Sequence, residues 1–249
     1  MSKLGLGTSV TTGTFLESGF DLASISGLTL WLKKGTGITT DGGNVSSWSS
    51  SVGSLEMVQT DSDAQPVHNA TTDAVQFTTA RQMKLSTGLA LSASGGVTVA
   101  AVITTNVDGT STNTSFQTLL GLDNTVRIQF FAPGDYFYFT GASASKTVIA
   151  AGGAGAIMPN ATKVLITWTA VGGTNGAVKV FKNTSTTSVT PSATATLGDI
   201  NINQIGNDGG VAGRGITSGL HELAIFNSAL TGDDLTNALT DIATRNGIS

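Results

Sequence analysis

The chain has 249 residues, of which 39% are hydrophobic and only 11% charged, with a net charge of −4 and no cysteine. Disulfides, thiolate metal sites and cysteine nucleophiles are excluded, and there is no basic footprint for nucleic acid. No stretch is apolar for the roughly 18 residues a membrane span needs, and residues 1–7 lack the continuous apolar core of a signal peptide.

In chain order, residues 1–25 read as an N-terminal arm rich in Gly, Ser and Thr. Phe15, Leu16 and Phe20 are its candidate anchors to a partner. Residues 26–249 read as one domain, with no linker long enough to divide it and no internal repeat. Residues 28–32 alternate leucines with Thr29 and Trp31, so Trp31 is expected to face away from the leucines. Glycine-rich turns follow, then short strands at 45–48, 55–59, 74–77 and 83–85. Residues 97–103 are β-branched or small and apolar on both faces, as in a central strand. Further strands are expected at 119–122, 126–131, 136–139 and 146–150, with Tyr136 and Tyr138 as candidate glycan contacts. Residues 164–169 and 177–182 flank an Asn175-Gly176 turn that favours a tight hairpin. Residues 200–205 alternate with asparagines.

The last thirty residues organise the chain. Residues 219–226 read as a strand, with Leu220, Ala224 and Phe226 on one side and Leu223 and Ile225 on the other. Thr231, with Asp234 three residues on, reads as a helix cap. Leu235, Ala238, Leu239 and Ile242 form one apolar stripe, and Gly247 reads as the stop. Strands at short intervals with a single short terminal helix predict an all-β sandwich.

No residue pattern demands catalysis. The three glutamates, Glu17, Glu56 and Glu222, lack an acidic partner at same-face spacing, against the needs of a glycosidase pair. His68 and His221 are far apart in sequence and read as structural, and no Gly-x-Ser-x-Gly elbow is present. Asp61 and Asp63 and the Asn207-Asp208 loop read as turns satisfying their own backbone before they read as calcium ligands. No cofactor, metal or catalytic residue is assigned. Glu222 is expected to be a buried structural carboxylate tied to backbone N–H groups or hydroxyls.

Several of these stretches resemble concanavalin A-like (laminin G-like) jelly-roll domains. Residues 28–32 and Val45-Ser46-Ser47-Trp48 resemble the opening of that family, although the Asp after the tryptophan and the Ser-Gly-x-Gly that follow there are altered here to Ser-Ser-Ser-Val-Gly at 49–53. Residues 164–168 and 178–183 resemble its late hairpin, with Thr184 in place of a glycine. Residues 219–235 resemble its closing signature, which includes Glu222 and Asn227. The resemblance covers about residues 26–246 and implies two packed antiparallel sheets. The family's glucanase Glu-x-Asp-x-x-Glu strand is absent, so catalysis does not carry over. The N-terminal residues 1–9 and Leu30-Trp31-Leu32-Lys33-Lys34 resemble structural proteins of tailed phages, notably cyanophages. That implies a non-enzymatic virion protein, a capsid decoration or a tail or fibre component. It would be assembled in the host cytoplasm, exposed on the particle and partnered by other virion proteins or copies of itself. The alternative is an adhesion module for host surface glycan. Neither reading involves nucleic acid or a membrane.

Overall fold

The computed structural model describes residues 19–92, 94–105, 117–122, 126–131, 136–140, 146–150, 161–189, 193–197, 199–207 and 214–249. A 3-10 turn at Leu22–Ser24 precedes β1 (Leu28–Leu32), β2 (Ile38–Asp41), β3 (Asn44–Ser49), β4 (Glu56–Val58), β5 (Val67–Asn69) and β6 (Ala74–Gln76). Then come β7 (Met83–Leu91), β8 (Val97–Thr105), β9 (Gln117–Leu122), β10 (Val126–Phe131), β11 (Tyr136–Thr140) and β12 (Lys146–Ala150). The last are β13 (Lys163–Ala170), β14 (Gly173–Lys182), β15 (Ala193–Leu197), β16 (Ile200–Ile205) and β17 (Ser218–Phe226), followed by α1 (Gly232–Asn246).

The strands pair antiparallel in two series. One runs β1–β17–β8–β13–β14–β15. The other runs β2–β3–β4–β7–β16–β9–β10–β11–β12. β5 and β6 join them, since β5 pairs with β3 and β6 pairs with both β5 and β17. The result is a curled antiparallel sheet closed into an all-β sandwich, as the alternating short strands predict.

Alternation along the strands fills the interior. Val164, Ile166, Trp168 and Ala170 of β13 share one core with Val99, Ala101 and Ile103 of β8 and with Trp48, Met57, Met83 and Ile205 of the other series. Leu165 points the other way, toward a second core that α1 closes. α1 lays Leu235, Ala238, Leu239 and Ile242 over Ala100, Val102, Phe181, Ala224 and Phe226. Strands β8, β13 and β17 are thereby covered on both faces, which is why they read as continuous apolar runs and not as clean alternation.

Two bulges change the faces read from sequence. A register shift between Leu220 and Glu222 puts Leu220 in the inner core with Leu223 and Ile225, while Ala224 and Phe226 face α1. Strict alternation wrongly grouped Leu220 with Ala224, because one extra residue in a bulge reverses every side chain before it. A second shift, between Leu28 and Leu30, separates Leu28 from Leu30 and Leu32: it packs on the α1 side with Trp31.

The arm boundary also moves. Leu22 and Ile25 are buried under α1, and Phe20 packs half-buried against the same core, so residues 20–25 belong to the domain. Phe15 and Leu16 lie outside the described residues. Thr231 is the N-cap of α1, but its side chain makes no capping bond. At the other end Gly247, at φ 65°, donates to the Thr244 carbonyl while the Ile248 N–H reaches Ala243. This is a Schellman closure, which needs the left-handed conformation that glycine adopts without penalty. β2, β5 and β15 are strands that sequence periodicity did not mark. The Asn175-Gly176 turn is wider than a two-residue hairpin: the Val171 N–H bonds the Ala177 carbonyl.

Candidate functional site

The α1 side of β17 gathers the domain's buried charges. Glu222 is fully buried. It faces α1 because it alternates in step with Ala224 and Phe226, on the same side of the bulge. Its Oε1 accepts from Trp31 Nε1 at 2.8 Å and from Arg245 Nη2 at 2.9 Å, and its Oε2 accepts from Asn246 Nδ2 at 2.7 Å. These partners are side chains from β1 and the last turn of α1, not the backbone N–H groups or hydroxyls expected from sequence. Arg245 also donates from Nη1 to Asp241, one turn earlier, at 2.8 Å, and its guanidinium lies 5.0 Å from the centre of the Trp31 ring. Burial opposes the Arg245 charge, but the bonds and charges of Glu222 and Asp241 outweigh it and hold the pKa above its ordinary value. The arrangement is a closed ion-pair network with an indole lid. Its carboxylate spends its acceptors on the fold and faces no cleft.

His221, the bulged residue, points to neighbouring polar groups. Its Nδ1 donates to the Thr72 carbonyl at 3.1 Å, so Nε2 carries a lone pair and accepts from the Thr104 hydroxyl at 2.8 Å. Burial, first, and the positive charge of Lys163 push its pKa down to about 4. Lys163 in turn donates to the Asn246 carbonyl at the end of α1, a helix terminus that favours a cation. His68 sits in β5 opposite Val75, with Nε2 buried and without a hydrogen-bond partner.

Among the described residues, no group of three His, Cys, Asp or Glu side chains could hold a metal. Asp61 accepts from the Asp63 N–H at 3.0 Å, the self-satisfied turn expected there. Asn207 is described, and Asp208 lies outside the described residues. Tyr136 and Tyr138 lie in β11, paired by register with Phe131 and Gln129 of β10, but their side chains lie outside what is described.

One feature was invisible in the sequence. Beside the first turn of α1, the end of β13 and the adjoining part of β14 form a groove of about 390 Å³. Thr169 and Phe181 are its buried base, Lys179 and Asp233 are exposed at its rim, and Thr231 opens the helix beside it. No sequence motif marks it, because its residues come from β13, β14 and the β17–α1 junction, and only the placement of α1 brings them together.

No family model matches the chain, and no curated protein sequence matches it. Its fold is similar to solved structures. A Trypanosoma rangeli sialidase in complex with 2,3-difluoro-KDN aligns at TM-score 0.53 and 10% identity, covering 88% of this chain and 33% of the sialidase. The same enzyme with the inhibitor DANA aligns at 0.51 and 15%, covering 87% and 33%. The binding domain of Paraclostridial Mosquitocidal Protein 1 aligns at 0.53 and 11%, covering 83% of this chain and 51% of that domain. The chain therefore spans about a third of the sialidases and half of the toxin domain. At such identities the likeness establishes a shared β-sandwich architecture, one found in enzymes as well as in a binding domain.

Proposed function

We propose that this chain is a non-catalytic structural module of a tailed-phage virion, of the concanavalin A-like type, acting as a capsid decoration or a tail or fibre component. The observation that carries the reading is the polarity of the domain. The 3-10 turn through which the chain enters packs on α1, and the C-terminal Ser249 carbonyl is bonded by Asn183 beside it. A segment preceding Gly19 would therefore attach on the α1 side and present the β7–β16–β9 side outward. The low charge and hydroxyl-rich composition fit a packed particle surface, and the buried ionisable groups Glu222, Arg245 and Asp241 serve the fold. Other virion proteins and further copies of this chain are the partners of this reading. The test is incorporation: particles assembled with a chain lacking residues 1–18 should omit the protein, while its melting temperature is unchanged. Full incorporation of that truncated chain would remove the anchor from the proposal, and absence of the intact protein from purified particles would end it.

A second reading, an adhesion module for host surface glycan, is favoured by the groove beside α1. Glycan-array binding by the isolated chain separates it from the first.

A further inference from the structure

We infer that Asn246-Gly247, at the end of α1, is a deamidation site that the Glu222 network keeps closed, and that reaction there makes opening of the helix end irreversible. Asparagine is among the thermolabile residues, and a glycine after it leaves the attacking nitrogen without a side chain in its way. The chain holds two such pairs, Asn175-Gly176 and Asn246-Gly247, and the second lies inside the buried ion-pair network. The step consumes only water. The backbone nitrogen of Gly247, its proton lost to solvent base, attacks Asn246 Cγ. The Cγ–Nδ2 bond breaks, and the nitrogen takes a proton and leaves as ammonia. Water then opens the five-membered imide at either carbonyl, leaving aspartate or isoaspartate at position 246.

The closed helix end holds this reaction off at each reacting atom. Asn246 Nδ2, the leaving nitrogen, donates to Glu222 Oε2 at 2.7 Å and to the Ile242 carbonyl at 2.9 Å. The Gly247 N–H, which must be released, donates to the Ala243 and Thr244 carbonyls in the left-handed cap. Asn246 Oδ1, which takes up negative charge as the ring closes, is buried with no donor to receive it. Lys163 pins the same residue by donating to its main-chain carbonyl at 2.9 Å. Glu222 lies in β17 and Lys163 in β13, so ring closure waits until the last turn of α1 leaves the sheet. Helix ends are where such local opening is most frequent, and Gly247 is already exposed to water there. The product prevents return. A carboxylate at position 246 stands against Glu222 where an amide donated, and two carboxylates in one dry site cannot both stay ionised. Isoaspartate also lengthens the main chain by one carbon just before the Gly247 cap. A helix end that has opened and reacted cannot rebuild its network.

The experiment is incubation of the full chain at mildly alkaline pH, with aspartate and isoaspartate at position 246 followed by peptide mapping and mass spectrometry. The same chain unfolded in urea supplies the ungated rate. The folded protein should react slower by about a hundredfold or more, at a rate set by the fraction of time its helix end is open. Glu222→Ala should speed the folded reaction by about tenfold or more. Lys163→Met removes one tie at a half-buried position and should speed it severalfold, which keeps the comparison available if Glu222→Ala does not fold. Asn246→Asp, which carries the product charge, should melt below Asn246→Ala, which loses only the amide. Equal rates in the folded and unfolded chains overturn the inference, as does the absence of product at position 246 in both. Rates that neither variant changes remove the network as the gate. An Asn246→Asp chain as stable as the intact protein overturns the irreversibility.

Discussion

Glu222 shows how one residue can tie three elements together. Its carboxylate holds the indole of β1 and the guanidinium and amide at the end of α1 in one dry network. A buried ion pair is weak evidence of net stabilisation against a well-packed apolar alternative, because desolvation offsets the Coulomb attraction. Removing one partner is another matter. Glu222→Ala leaves the partly buried Arg245 with Asp241 alone and orphans the donors of Trp31 and Asn246. It should cost about 3–5 kcal/mol in urea denaturation. Trp31→Phe, which removes a single donor, should cost less, about 1–3 kcal/mol. Equal costs for the two changes would mean that the network does not act through the carboxylate.

His221 makes a separate prediction in pH. Its folded pKa, about 4, lies below the ordinary histidine value of 6.5, so the unfolded chain binds the proton more readily. Its contribution to stability is complete above pH 6.5 and is lost as the pH falls toward 4, by at most about 3 kcal/mol. Carboxylates titrate in the same window, so the measurement is a difference: stability of the intact protein minus that of His221→Gln at each pH. That difference should shrink on acidification, and a flat difference would refute the assignment.

At the scale of elements, α1 is the piece that makes the back of the sandwich a core and not a surface. The helix is fifteen residues long, marginal in isolation, and held by the apolar stripe it buries. Leu239→Ala should therefore cost about 2–5 kcal/mol, the range for a buried leucine whose surroundings cannot collapse. Its N-cap should behave unusually. A capping threonine is ordinarily worth about 1 kcal/mol, but Thr231 makes no side-chain cap bond. Thr231→Ala should change thermal stability by a few tenths of a kcal/mol at most, and a full capping loss would mean that the bond forms in solution. Gly96 serves the junction on which the helix starts: its φ is 75°, and a Cβ there would stand 2.5 Å from the Ala170 carbonyl oxygen and 3.1 Å from Ala229. Its replacement should disturb the β17–α1 connection and the groove wall with it.

For the whole molecule, the useful boundary lies ahead of Phe20, the first residue that packs on the α1 core. Leu22 and Ile25 are core residues, so a chain starting at residue 26 removes two side chains from under α1. It should melt below the intact chain by several degrees, since burial of each large apolar group contributes roughly 1.5–3 kcal/mol. A chain starting at residue 19 keeps every contact described here and should melt with the intact protein. The pair of truncations separates a role in attachment from a role in folding.

The sequence by itself determined the all-β class, most of the strands, the one helix with its buried stripe and its glycine stop, and the burial of Glu222. Those features are local: strand alternation, helical periodicity and turn chemistry act over a few neighbouring residues. Strand β2 escaped because its exposed Thr-rich residues carry little periodicity, and β15 because its Ala-Thr alternation marks no large apolar face. Tertiary structure decided the rest. The bulge at His221 chose which face Leu220 occupies, and it did so through pairing with β8, more than a hundred residues earlier in the chain. The partners of Glu222 come from opposite ends of the domain, and the groove exists because α1 begins beside β13 and β14 without covering that part of them. Long-range packing set these relations, and no short-range pattern encodes where on a sheet a helix is laid.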